Sequence, residues 1–154
     1  SIGGDNERKA VLGTFGMTSG KWYWEVMFDS TSGASYAQIG ISDVIEGTEA
    51  SSENGKRGYF PYDYGYRGEG GGKKTNNGTY TNYGASYAAG DTIGVAVDLD
   101  NNAIYFSKNG TFQASGAVGD PTSGSNRTNA TFNITAAAST GTGAYFPAIG
   151  KEAV

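Results

Sequence analysis

The sequence predicts an all-β fold, an antiparallel β-sandwich, on three observations. Glycine occupies 26 of 154 positions and proline only 3. Short segments alternate apolar and polar residues with a period of two, the spacing of a half-buried strand. Turn dipeptides punctuate them: Ser32-Gly33, Asn54-Gly55, Asn77-Gly78, Asn109-Gly110 and Ser123-Gly124. Short strands separated by such turns characterise sandwiches and barrels. The 11 tyrosines, 7 phenylalanines and 2 tryptophans give a core too rich for a disordered chain.

The elements follow in order. KAVLGTFG (9–16) reads as a faint first strand. GKWYWEVMF (20–28) carries the strongest signal: Trp22, Trp24, Val26 and Phe28 share one face, while Tyr23, Glu25 and Met27 share the other. That mixed second face predicts partial cover. YAQIGIS (36–42) places Ala37, Ile39 and Ile41 in phase. DTIGVAVDL (91–99) does the same with Ile93, Val95, Val97 and Leu99, and AIYFSK (103–108) with Ile104 and Phe106. ATFNIT (130–135) and AYFPAIG (144–150) are further strands. TAAAST (135–140) holds one helical turn at most. Residues 115–143, rich in Ser, Thr, Gly, Ala and Asn, read as a polar surface excursion containing one strand. A length of 154 residues suits one domain spanning 1–154. The absence of an initiator methionine fits an excerpt of a longer chain.

The bulk chemistry excludes several function classes. With no cysteine and no histidine, the chain has no disulfide, no thiolate zinc site and no histidine general base. Its net charge of −4 gives no drive toward nucleic acid or an anionic membrane. No apolar run approaches the roughly 20 residues of a membrane span.

Three motifs invite chemistry. Asp98, Asp100 and Asn102 have the spacing that opens a calcium loop. The EF-hand pattern then requires Gly and Glu where this chain has Ala103 and Asn109. Turn chemistry instead predicts a hairpin bending at Asp100-Asn101-Asn102, with an irregular ion site on Asp98 or Asp100 as the alternative. GEGGGKKT (68–75) lacks both the phosphate-loop spacing and a following helix, so it reads as a flexible loop. Asp63, Glu69, Asp91, Asp98 and Asp100 are the candidates for a glycosidase pair. None sits in an apolar stretch that would raise its pKa. Glu25, inside the aromatic strand, fits a bond across the sheet better. Sequons at Asn77, Asn109, Asn126, Asn129 and Asn133 would predict glycans in a secreted eukaryotic protein, but in an Asn/Thr-rich chain they also arise by chance.

The order of the motifs resembles the SPRY domain family. GKWYWEV and IGISD are followed by GYFPYDYGYRGEGGGKKTNNGTY. Then come Gly90-Asp91-Thr92-Ile93-Gly94, Asp98-Leu99-Asp100, Phe106-Ser107-Lys108-Asn109-Gly110 and YFPAIG. The likeness covers 18–114 and 144–150. It implies a bent sandwich of two antiparallel sheets, related in shape to concanavalin-like jelly rolls. It also implies non-catalytic recognition through loops, with no cofactor. The family usually adds one more strand after the Phe-Pro-Ala segment, and this chain is expected to lack it. In style the sequence looks most like SPRY-like modules of bacteriophage tail, fibre and capsid-surface proteins. That style implies a virion-surface or extracellular adhesion module whose partner is a protein, a surface glycan or a neighbouring virion subunit. The alternative is a cytoplasmic domain that recognises short peptide segments.

The contact surface is expected in the tyrosine-rich region 57–90, which holds seven of the eleven tyrosines. Tyrosine gives large contact area at low entropic cost and adds one hydrogen bond. The candidates are Tyr59, Tyr62, Tyr64, Tyr66, Arg67, Lys73, Lys74, Asn76, Asn77, Tyr80 and Tyr83. Packing of these same rings in the core is the competing expectation.

Overall fold

The computed structural model describes residues 9–29, 37–43, 60–68 and 72–151. Two antiparallel sheets face each other. The first has six strands: β1 (Lys9–Leu12), β3 (Ala37–Ser42), β4 (Tyr64–Arg67), β5 (Lys73–Asn76), β6 (Thr79–Asn82) and β11 (Phe146–Lys151). Their spatial order is β1-β11-β3-β4-β5-β6. The second contains β2 (Lys21–Met27), β7 (Thr92–Asp98), β8 (Ala103–Lys108), β9 (Thr111–Phe112) and β10 (Phe132–Asn133). Its order is β10-β8-β7-β2, with β9 also on β8.

The period-two rows meet between the sheets. Ile39, Ile41, Tyr64 and Tyr66 from one face Ile93, Val95, Val97, Ile104 and Phe106 from the other, all buried. Trp24, Val26 and Phe28 close the side of this core. The backbone crossing is tight where β3 meets β4: a Cβ on Gly40 would collide with the Tyr64 carbonyl oxygen.

Turn chemistry explains the hairpins. Asn77-Gly78 and Asn109-Gly110 both place two consecutive residues at positive φ, the backbone of the two-residue turns that match strand twist. They join β5 to β6 and β8 to β9. The β7–β8 connection spans residues 99–102 and ends on Asn102 at φ 54°. Asp98 holds it, its carboxylate accepting the Asn101 backbone N–H at 3.0 Å and the side-chain amide at 2.9 Å. The Asp100 carboxylate accepts Gly20 N–H at 2.8 Å. The oxygens that resembled an ion site thus tie one turn together and anchor the start of β2.

The polar excursion clads the outer face of the second sheet. Tyr105 points away from the main core yet is buried, in a second cluster with Ala96 and Ala103 that Phe112 and Ala130 cover. Asp120 shapes this segment by accepting the Thr122 N–H and hydroxyl. Short 3-10 turns occur at Gly124–Asn126 and Ala137–Ser139, the second within the predicted helical turn. The predicted turns Ser32-Gly33 and Asn54-Gly55 lie outside the described residues.

Candidate interaction surface

The tyrosine-rich region forms three strands, β4, β5 and β6, and much of its aromatic content turns inward. Tyr66 is fully buried, its ring 5.1–5.7 Å from those of Tyr83, Tyr87 and Phe106. The buried tyrosine hydroxyls of this region find partners, as buried polar groups usually do. Tyr66 donates to the Ala85 carbonyl. The Tyr83 hydroxyl lies 2.6 Å from Thr131 Oγ1, and Tyr64 accepts the Thr135 N–H. Burial drives the Tyr66 phenol well above its usual value, with Tyr83 adding to the effect. Burial also pushes Tyr83 up to about 12. These rings are neutral packing groups at neutral pH.

The other predicted contact residues are dispersed. Tyr59 lies outside the described residues. Tyr62 is half-buried against the core. Asn76 donates to the Pro61 and Asp63 carbonyls, bracing the loop before β4. Lys74 reaches inward, donating to the Thr131 carbonyl at 2.9 Å from above the Phe132 ring, and burial lowers its pKa. Arg67 is buried, with its guanidinium 5.2 Å from the Tyr80 ring centre. The register sets Lys73 beside Arg67 and Tyr80 beside Thr75. Lys73, Tyr80 and the exposed Asn77 remain at the solvent-facing margin of this sheet.

A different region exposes apolar surface. Among the described residues, Val11, Phe15, Trp22, Tyr23, Met27 and Val118 are the large apolar side chains open to solvent. The first five belong to β1, β2 or the segment between them. Among the described residues β1 and β2 each lie at one edge of their sheet, with β6 and β10 at the other edges. Phe15 and Trp22 touch, ring centres 5.4 Å apart. Tyr23, 54% exposed, lies across β7 at Gly94, where a Cβ would come within 2.5 Å of its hydroxyl oxygen. That hydroxyl donates to Glu25 at 2.7 Å. Partial burial and then the Glu25 contact raise its pKa.

Beside Tyr23 lies a hollow of about 240 Å³, lined by Lys21, Tyr23, Ala96, Asp98, Phe112 and Pro121 among others. Lys21 and Asp98 pair across its rim at 3.1 Å. The hollow is smaller than the roughly 300–1,000 Å³ of a small-molecule pocket and suits one or two side chains.

Comparison with known proteins places this architecture. Residues 21–150 match the SPRY domain. The chain belongs to the SPRY domain family. The SPRY domain of human HERC1 shares the fold, with a TM-score of 0.65 at 18% identity over 96% of this chain and 76% of that one. Ran-binding protein 9 of Danio rerio is 34% identical over 91 residues, 59% of this chain and 14% of the relative. ATP-dependent RNA helicase DDX1 of Xenopus laevis is 32% identical over 97 residues, 63% of this chain and 12% of the relative. The chain therefore spans only a small part of each curated relative. These relatives are vertebrate proteins, and they favour the protein-recognition alternative over the virion-surface reading.

Asp91 and Asp98 of this SPRY domain serve structure. Asp91 accepts the Ala88 N–H and the Asn109 amide and pairs with Lys108 at 3.1 Å; these contacts hold its pKa down. Burial alone would raise Asp98, but the Asn101 and Lys21 contacts outweigh it and the net shift is downward. A general acid needs the opposite shift. Glu69 lies outside the described residues. Among the described residues no helix is long and apolar enough to cross a membrane.

Sequence reasoning predicted partial cover on the second face of the aromatic strand but placed the contact surface in 57–90 and named neither Tyr23 nor Met27 as a contact. The signal was present in the mixed second face of GKWYWEVMF.

Proposed function

We propose that this SPRY domain is a non-catalytic protein-recognition module that grips an extended protein segment at the hollow beside β2. The observation that carries this reading is the concentration of exposed apolar side chains on β1, β2 and their connection. Contiguous exposed apolar surface marks interaction sites. Tyr23 and Phe112 offer an aromatic wall for one apolar anchor, and the Lys21–Asp98 pair supplies a polar rim. Membership in a family whose matched relatives include a Ran-binding protein supports a protein partner and a cytoplasmic setting over a glycan.

The test is selection of a displayed random-peptide library on the full chain. Enriched peptides should carry one large apolar residue flanked by charges. Tyr23→Ser and Phe112→Ser should each weaken them by about 30-fold, the effect of truncating an aromatic hot spot. Equal binding to wild type and both variants, with loss in an Asn77→Ala/Tyr80→Ala/Lys73→Ala variant instead, would move the contact to the margin of the first sheet.

A further inference from the structure

Two Asn-Gly turns of this fold share one backbone conformation and differ in how the asparagine side chain is held. Asn77-Gly78 closes the β5–β6 hairpin with φ 48° and 72°, and Asn109-Gly110 closes β8–β9 with φ 49° and 82°. An asparagine before a glycine carries a built-in reaction. The glycine backbone nitrogen attacks the asparagine Cγ, and a five-membered succinimide forms. The amide nitrogen leaves as ammonia, taking the proton that the glycine nitrogen gives up. Water then opens the ring at either carbonyl, which yields aspartate or isoaspartate. Glycine favours the attack because it has no side chain to crowd the closing ring. The remaining control is the freedom of the asparagine amide to swing toward that nitrogen.

Asn109 is held at both ends of its amide. Its Oδ1 accepts the Thr92 N–H at 2.8 Å, and its Nδ2 donates to Asp91 Oδ1 at 2.8 Å. Asp91 is fixed in turn by the Ala88 N–H and by Lys108. Ring closure at Asn109 must break both amide bonds, one of them to a charged acceptor, the stronger kind. Asn77 is exposed. Its backbone N–H reaches the Phe60 carbonyl at 3.3 Å, while its side-chain amide has no hydrogen-bond partner among the described residues.

We propose that Asn77 is a site of spontaneous modification, where the folded chain converts asparagine to isoaspartate and aspartate while Asn109 is protected. Water is the co-reactant. Isoaspartate routes the main chain through Cβ and lengthens the turn by a backbone atom. The turn sets the β5–β6 register, Asn76 against Thr79 and Thr75 against Tyr80. The longer turn therefore releases Tyr80 from its place beside the Arg67 guanidinium. Either product also adds a negative charge at the solvent-facing margin of the first sheet. This chemistry is independent of partner binding at the hollow beside β2.

The test is a time course of the full chain in mildly alkaline buffer, followed by tryptic digestion. Cleavage after Lys74 and Lys108 puts the two asparagines in separate peptides. Fragment-ion mass spectrometry, with isoaspartyl-methyltransferase labelling, measures conversion at each. Asn77 should convert roughly 30-fold faster than Asn109, the weight of the two amide hydrogen bonds. In guanidinium chloride, where the fold is lost, the two rates should converge. Asp91→Ala, with its folding checked by circular dichroism, should speed Asn109 and leave Asn77 unchanged. Equal rates in the folded chain, or a faster Asn109, overturn the proposal. A rate difference that persists in guanidinium chloride also overturns it, because local sequence would then be the cause.

Discussion

Replacing Tyr66 by alanine separates a packing tyrosine from a contact tyrosine. Its ring is fully buried and meets Tyr83, Tyr87 and Phe106. Truncating a buried aromatic residue to alanine costs roughly 3–5 kcal/mol. A domain holds about 5–15 kcal/mol in total. At this size each 1 kcal/mol moves Tm by about 2–4 °C, so Tm should fall by roughly 6–20 °C. Tyr66→Phe isolates the hydroxyl bond to Ala85, worth about 1 kcal/mol, and should lower Tm by about 2–4 °C. Tyr23→Ala, at an exposed site, should stay within about 1 kcal/mol of wild type. Thermal melts followed by near-ultraviolet circular dichroism read all three. A Tyr66→Ala protein that melts within about 2 °C of wild type but loses peptide binding would refute the packing assignment.

Two predictions concern pH. Asp98 and Asp91 have folded pKa values below their ordinary ones. Their stabilisation is complete above the unfolded value of about 3.9 and is lost as pH falls through the folded value. The urea midpoint should therefore drop in acid, and Asp98→Asn should drop less steeply; parallel curves would contradict the Lys21–Asp98 contribution. Tyrosine works in the opposite direction. Folded values raised above 10, to about 12 for Tyr83, give stabilisation that is complete below pH of about 10 and is lost as pH rises through the folded value. A urea midpoint that stays level above that pH would contradict the burial of these phenols.

Seven strands were legible, four of them because period two survives in them. AIYFSK matches β8 at both ends, and the strands at 20–28 and 91–99 are displaced by a single residue at each end. β4, β5 and β6 were not legible. YGYR, KKTN and TYTN place tyrosine, lysine and threonine where other strands carry isoleucine and valine. Their inward row includes Tyr66 and Lys74, side chains that composition assigns to the surface. Tyr66 is stable inside because its hydroxyl meets a carbonyl, and Lys74 because its ammonium does. Such partners come from residues 85 and 131, far away in sequence, and no local pattern announces them. The same limit hid the site. Exposure of Tyr23 follows from β2 lying at an edge, which is a property of topology rather than of the strand.

The placement of β11 has a consequence for synthesis. It lies between β1 and β3, so Lys9 pairs with Lys151 and Ala37 also pairs with Lys151. The six-stranded sheet cannot close until the last of these residues has left the ribosome. Until then β1 and β3 each expose an unpaired edge, a template for wrong partners. Pairings so distant in sequence also slow folding into the millisecond-to-second range. The domain must therefore carry an open sheet for most of its own synthesis, and its yield in cells should respond more to chaperone supply than its equilibrium stability would indicate.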